Sequence, residues 1–198
     1  MIMPKNKYDW WLWKKIIPLS VIKKINNKIK KNKSISNDVP AINVIKTSKV
    51  KVLDYSIIED DLLQFIRRVY LVNNNEFGYN LHSPFFETFQ FNEYSFKDKA
   101  EYGWHHDESR HLHGDIKLTL LINVSEKKYE GGVFQLFNNG NHHPIDFSDV
   151  GDMLVFKSYL VHRVTPVLKG ARKTLTVFLT GPKFIWTHLF GIGILIKH

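Results

Sequence analysis

The sequence predicts a β-rich domain, a barrel or sandwich, preceded by helices. Three observations predict it. After Asn75, short β-like runs follow one another: FETFQFNEYSF, EYGWHHD, IKLTLLINV, GGVFQLF, DMLVFKSYLVHRV and KTLTVFLTG. Turn-forming clusters such as YEGG and NNGN separate them, as closely spaced strands require. Ahead of them, two stretches carry apolar residues at helical spacing instead.

Taken in order, YDWWLW opens the chain's first structured stretch as a short aromatic strand. Pro18 suits a first helical turn, and Val21, Ile22, Ile25 and Ile29 then recur with lysines between them. That helix is expected to pack by one face and leave its lysines in water. SISNDVP, residues 34–40, has loop composition, and SKVKVLDYS alternates as a short strand. A second helix spans IIEDDLLQFIRRVYLVNNN, with Ile58, Leu62, Phe65, Ile66 and Val69 on one face and an Asn run ending it.

Composition narrows the chemistry. The 198 residues suffice for one well-buried domain, and 43% apolar content excludes a disordered chain. With no cysteine, any metal must be held by His, Asp or Glu. The net charge of +9 is concentrated: residues 1–50 hold twelve lysines against Asp9 and Asp38, and the remainder is nearly balanced. That basic segment could serve a nucleic-acid or membrane surface as well as plain solvation. No aromatics interleave the helix lysines, as a stacking platform would require. WWLW is broken at once by Lys14 and Lys15, and FGIGILI is far shorter than the ~20 apolar residues a membrane span needs. The expectation is a soluble, cytoplasmic protein. The many Asn, Lys and Ile residues fit an AT-rich genome.

The densest chemistry lies in EYGWHHDESRHLH, residues 101–113, with four histidines and three carboxylates. On a strand, His105 and Asp107 share a face while His106 points away. A third ligand must come from elsewhere, and His162 in LVHRVTPV is the candidate. Two histidines and one carboxylate on one side of an ion form the facial triad of non-haem Fe(II) oxygenases, which leaves positions open for cosubstrate and dioxygen. In ARKTLTVFLTG, Arg172, Thr174 and Thr176 fall on one strand face, opposite Lys173, Leu175, Val177 and Leu179. An inward guanidinium is costly without a partner. A dicarboxylate would take a bidentate fork from Arg172 and a hydroxyl bond from Thr174.

The ordered set of His105-x-Asp107, His162 and Arg172-x-Thr174 resembles the Fe(II)/2-oxoglutarate-dependent dioxygenases, and within them the prolyl 4-hydroxylase-like branch in its compact bacterial and phage form. YEGGVFQLF, GDMLVFKSYLVHRVTPVLKGARKTLTVFLTGP and YDWWLWKKIIP are similar to that group as well. The resemblance implies a double-stranded β-helix (a jelly-roll or cupin-like barrel) with N-terminal helices packed on one sheet. It implies a single domain over residues 1–198: helical support to about residue 75, a barrel core over about 85–182, and a short C-terminal tail. A virus-encoded origin fits the compact form.

It further implies Fe(II) on His105, Asp107 and His162, with 2-oxoglutarate chelating the iron and O2 as oxidant. Ascorbate is a candidate additional cofactor. Tyr94 lies near where such enzymes place a tyrosine hydroxyl against the cosubstrate carboxylate, although FKDKAE has a different length here. Tyr102 matches a position that lines the substrate mouth, and Trp104 is carried beside it as a substrate contact, though such a tryptophan more often packs. Lys157 stands where the subgroup has proline. Asp107 being present disfavours the halogenase variant.

The implied reaction is hydroxylation of an unactivated carbon, with a peptidyl proline leading among substrates and a peptide or protein as partner. Three rivals stand beside it: oxidative demethylation of a nucleic-acid base on the same iron core, a non-catalytic barrel sensing a metal or small acid, and a zinc hydrolase. The last leaves Arg172 unexplained. His106, His111 and His113 are expected at the surface or in loops, Arg163 on the outer face, and Gly131 and Gly132 in a turn before a strand; Trp186 is expected to pack.

Overall fold

A computed structural model describes residues 8–36, 44–83, 86–107, 114–138 and 140–183. His111, His113, Trp186 and the FGIGILI run lie outside the described residues. The chain opens with strand β1 (Trp10–Trp13), helix α1 (Leu19–Lys31), β2 (Lys49–Asp54) and helix α2 (Glu59–Val72). Then come β3 (Thr88–Ser95), β4 (Tyr102–His105), β5 (Asp115–Asn123), β6 (Glu130–Gly131), β7 (Phe134–Asn138) and β8 (Asn141–Ile145). β9 (Met153–Lys157), β10 (Val161–Val164), β11 (Val167–Lys169) and β12 (Ala171–Gly181) complete the described structure.

Helix α1 starts where Pro18 sets the first turn, its carbonyl accepting from the backbone N–H groups of Val21 and Ile22. Its Ile22, Ile25 and Ile29 are buried as the spacing predicts, each stabilising the fold by roughly 1.5–3 kcal/mol. Helix α2 buries Leu62, Phe65, Ile66 and Val69, with Ile58 just ahead of it. The Asn run does not stop α2 at once. A π-helical turn over Asn73–Phe77 follows, and Gly78, left-handed at φ 71°, ends it. The Asn73 amide fastens this exit, donating to Tyr79 O at 2.8 Å and accepting from Tyr79 N at 3.1 Å.

Two antiparallel sheets make the barrel, one of six strands in the order β1-β9-β5-β12-β3-β2 and one of four in the order β4-β10-β7-β8. β6 and β11 pair separately. Alternation along the strands sorts side chains to two sides. Leu118, Leu120, Ile122, Val155, Leu175, Val177 and Leu179 face α1 and α2 in one apolar cluster. Leu121, Leu154 and Phe156 face Phe134, Leu136 and Val164 of the smaller sheet in another. The result is a double-stranded β-helix with helices on the outer face of its larger sheet, as the resemblance implies.

Two expectations about strands change. DMLVFKSYLVHRV is not one strand. A tight turn, with Leu160 N–H donating to Lys157 O at 3.0 Å, splits it into β9 in the larger sheet and β10 in the smaller. The two read as one because Tyr159, Leu160 and Val161 carry the apolar texture across the turn. The stretch after NNGN is a strand, β8, at the edge of the smaller sheet, where Pro144 is tolerated.

Candidate metal and cosubstrate centre

β4 and β10 lie side by side in a register that puts His162 directly opposite His105. Each imidazole is oriented by its own strand: Nδ1 of His105 donates to Gly103 O at 2.8 Å, and Nδ1 of His162 donates to Leu160 O at 2.8 Å. A carbonyl can only accept, so the proton sits on Nδ1 and each Nε2 presents a bare lone pair. Just beyond β4, the Asp107 backbone N–H is held by Ser158 O at 3.0 Å. Its carboxylate comes within 3.9 Å of His105 Nε2 and 3.8 Å of His162 Nε2. Oδ2 of Asp107 also accepts the Thr119 hydroxyl from β5.

Burial, reinforced by the neighbouring His162, pushes His105 down to about 3. Burial likewise pushes His162 down to about 4, against its bond to the Leu160 carbonyl. Both rings are therefore neutral near pH 7, as metal ligands must be. Burial raises Asp107 above the usual carboxylate range, with the Thr119 hydroxyl opposing it. One ligand atom from each of the three residues falls within 4.8 Å of the others. Three acceptors converging with no proton between them repel one another; a cation reverses the sign.

The same pocket, about 320 Å³, contains Arg172. The guanidinium is 1% exposed, and its Nε and Nη2 have no hydrogen-bond partner among the described residues. The rings of Tyr94 and Phe147 lie 5.2 and 5.6 Å from its Cζ. Gly132, at φ 59°, backs the arginine stem; a Cβ there would stand 3.0 Å from Arg172 Cδ. Thr174 and Thr176 line the pocket from the same face of β12, and Asn92 of β3 donates to the Thr176 hydroxyl at 3.2 Å. A buried cation with two unmet donors marks an anion's place.

Most residues singled out from sequence meet here. Tyr94 lies in register with Arg172 and lines the pocket. Tyr102 stacks on the His105 ring with centroids 3.5 Å apart. Trp104, expected at the substrate mouth, does not line the pocket. As His105's neighbour on a strand it points to the other face, where it meets Arg163 at 4.5 Å and stacks on His142. Arg163 is outward, as expected, and donates to Gln135 Oε1 at 2.6 Å. His106 is exposed at the pocket rim. Gly131 and Gly132 have positive φ ahead of β7, but Gly131 ends strand β6, so only Gly132 lies between strands.

Thr119 and Lys46 are among the pocket residues not singled out from sequence. Thr119 had a signal: it is a polar residue on the barrel-facing side of an apolar strand, and it is 1% exposed. Lys46 had none. It reaches the pocket because an isolated bridge pairs it with Tyr102, which sets its ammonium 4.8 Å from that ring.

Residues 89–180 match the 2OG-Fe(II) oxygenase superfamily. This stretch, a little under half of the chain, is similar to the core of the 2OG-Fe(II) oxygenases. A PKHD-type hydroxylase of Azoarcus sp. (strain BH72) is 31% identical over 96 residues, covering 45% of this chain and 41% of the relative. One from Cupriavidus pinatubonensis is 34% identical over 68 residues, covering 34% of this chain and 29% of the relative. The chain thus spans less than half the length of these curated relatives. Among solved structures, a Pseudomonas putida prolyl-4-hydroxylase shares the fold with TM-score 0.66 and 18% identity, over 87% of this chain and 92% of that one. A viral collagen prolyl hydroxylase from Paramecium bursaria Chlorella virus-1, in its 2OG complex, gives TM-score 0.61 and 16% identity over 88% and 97%.

The two cofactors in that superfamily's name, Fe(II) and 2-oxoglutarate, fit the two halves of this pocket. The bare Nε2 atoms and the Asp107 carboxylate are a facial-triad donor set. The unmet donors of Arg172 suit a carboxylate.

Proposed function

We propose that this chain is an Fe(II)- and 2-oxoglutarate-dependent dioxygenase that hydroxylates an unactivated carbon, with a peptidyl proline as the leading substrate. The observation that carries the reading is the buried guanidinium of Arg172, its Nε and Nη2 unmet among the described residues, sharing one pocket with the His105, Asp107 and His162 cluster. A metal site alone would not need it. His105, Asp107 and His162 would hold the iron, and Arg172 the far carboxylate of 2-oxoglutarate, with Thr174 and Tyr94 beside it. Bound iron and 2-oxoglutarate supply the oxidising chemistry, dioxygen being activated as the diacid decarboxylates to succinate.

The protein's own part is orientation and exclusion. The Gly103 and Leu160 carbonyls aim the imidazoles, and Thr119 holds one carboxylate oxygen of Asp107. Arg172 fixes which end of the diacid faces the ligand cluster. Phe134, Leu121 and Val164 keep that part of the pocket apolar. Tyr102, stacked on His105 with Lys46 above it, borders the side from which substrate would approach.

A peptide substrate is supported by the fold shared with a Trichoplax adhaerens prolyl hydroxylase in complex with a hypoxia inducible factor peptide fragment. The reading takes helices and barrel as one domain, which the apolar cluster shared by α1, α2 and the larger sheet supports. Among the described residues no helix is long and apolar enough to cross a membrane. An intracellular setting suits the need for Fe(II) and 2-oxoglutarate, and ascorbate would act as a reductant that keeps the iron ferrous. The deciding experiment supplies Fe(II), 2-oxoglutarate and O2 with a library of proline-containing peptides. Succinate release coupled to a peptide mass gain of one oxygen atom is expected. Peptide-independent, iron-independent behaviour with no 2-oxoglutarate binding would leave a non-catalytic barrel instead.

A further inference from the structure

A second cavity of about 620 Å³ lies behind the catalytic pocket, on the opposite face of β12 and β3. Arg172 and Tyr94 point into the barrel, whereas Lys173 and Glu93, their neighbours on those strands, line this cavity between the sheet and the C-terminal half of α1. Its walls come from five separate parts of the chain, and no part of the proposed oxygenase reaction uses it. Two features define its chemistry.

The first is uncompensated charge. Six lysines line the cavity against two glutamates. Lys173 pairs with Glu93 at 3.5 Å, and Lys51 donates to the Ile29 and Asn32 carbonyls at the end of α1. Glu126 is engaged by the Asn26 amide at 2.8 Å. Lys30, Lys97, Lys127 and Lys128 are exposed and make no ion pair among the described residues. Charges of one sign gathered around a concavity focus the field on it, and the ligand they favour is anionic. The second is an apolar, aromatic surface inside the ring of charge. Ile29 and Phe91 are buried at the floor, and Phe96 at the corner after β3 is 46% exposed. The sequence alone shows no aromatic between the lysines of α1; the fold brings Phe96 to the same cavity as Lys30 from a distant strand.

We propose that this cavity binds a phosphate-bearing nucleotide, free or within a single strand, with the base against Phe96 and the phosphates among Lys30, Lys97, Lys127 and Lys128. A flat aromatic flanked by flexible ammonium groups is how proteins hold single strands without reading sequence. A bilayer fits poorly, because the lysines rim a hollow instead of flanking a protruding apolar ridge.

The test is fluorescence anisotropy with a labelled single-stranded RNA of about ten nucleotides, a length matched to such sites, across a salt series. AMP and ATP serve as competitors, and vesicles of mixed phosphatidylserine and phosphatidylcholine as the alternative partner. Wild-type protein should bind, and the K97Q/K127Q/K128Q variant should bind at least tenfold more weakly. Its log–log salt slope should be shallower by about 2, near 0.7 per lost phosphate contact. Phe96→Ala should weaken binding about fivefold or more with the slope unchanged. Displacement by AMP and ATP assigns the site to free nucleotides; resistance to them assigns it to a strand. K23Q/K31Q, which lowers charge on exposed α1 positions away from the cavity, should bind nearly as wild type. Iron-dependent succinate release in the variants shows that they are folded. Loss in K23Q/K31Q as large as in the cavity variant would overturn the proposal. So would undiminished binding in both the cavity variant and Phe96→Ala, or vesicle binding without RNA or nucleotide binding.

Discussion

Replacing Arg172 by methionine should change cosubstrate affinity and resting stability in different directions. The guanidinium offers two donors, Nε and Nη2, that nothing else among the described residues accepts. Hydrogen bonds to charged groups contribute about 1.5–3 kcal/mol each, so losing two costs about 3–6 kcal/mol. That is roughly 10²- to 10⁴-fold in 2-oxoglutarate affinity. Without cosubstrate, the same guanidinium is a buried charge short of partners, and an apolar residue of similar length relieves that burden. The Tyr94 and Phe147 rings at 5.2 and 5.6 Å return part of it, by about 0.5–2 kcal/mol each. The cosubstrate-free variant should therefore melt at or above the wild-type temperature. Anaerobic calorimetry with Mn(II) in place of iron reads the affinity, and thermal unfolding without ligand reads the stability. Affinity within about threefold of wild type would refute the clamp. A fall of more than about 4 °C in the ligand-free Tm, near 1 kcal/mol or more for this size, would show that Arg172 is already satisfied. Arg172→Lys keeps the charge but loses the fork, and should fall between the two.

Three further outcomes follow from the same site and its supports. His162→Ala should abolish iron-dependent 2-oxoglutarate turnover and lower Co(II) affinity while circular dichroism stays native; full metal affinity would remove His162 from the ligand set. Thr119→Val deletes the hydroxyl on Asp107 Oδ2 and should weaken metal binding about 10- to 100-fold, read by competition with a chelator. Asp61, at 2.6 Å from Lys24 and 2.8 Å from Lys28, links the two helices. Burial alone would raise its pKa, but these ion pairs outweigh burial and hold it below the usual range. Its contribution is thus present above the unfolded value, near ~3.9, and lost as pH falls through the lower folded value. Between pH 7 and pH 3, Asp61→Asn should lose less urea stability than wild type; equal losses would show that the pair contributes nothing.

What could be read from sequence was whatever obeys a local period. On β12 the period of two put Arg172, Thr174 and Thr176 on one side, and the barrel pocket holds all three. On α2 the period near 3.6 picked out Leu62, Phe65, Ile66 and Val69, all buried. Trp104 was misplaced although the same alternation applies to it: beside an inward His105 it had to face outward. Residues positioned by partners distant in the chain left no local trace. Lys46 reaches the pocket through a bridge to Tyr102, and Phe96 faces Lys30 of α1 across a cavity that only the folded sheet creates. The β9–β10 break was hidden because Tyr159, Leu160 and Val161 carry the apolar texture across the turn between the two sheets.

Lys157, the departure from the subgroup's proline, shows how the fold accommodates a charge there. It is 4% exposed, and a lone buried ammonium would be severely destabilising. Asp9, just before β1, resolves this by accepting from the Lys157 ammonium at 2.9 Å and from the Asn138 amide at 2.6 Å. The Lys157 backbone N–H also donates to Asp9 O at 3.1 Å, a bond proline could not make. These contacts fasten β1 to the end of β9, one residue before Ser158, whose carbonyl holds the Asp107 backbone. The N-terminal strand is therefore tied, through two successive residues, to the segment that carries the carboxylate ligand. Loss of the Asp9 side chain should strand the Lys157 charge and loosen that turn, so Asp9→Ala is expected to lower stability and metal affinity together. Asp9→Ala with Lys157→Met, which removes the charge that would be stranded, should recover most of both. If the double variant stays as weak as the single one, the ion pair is not what holds the turn in place.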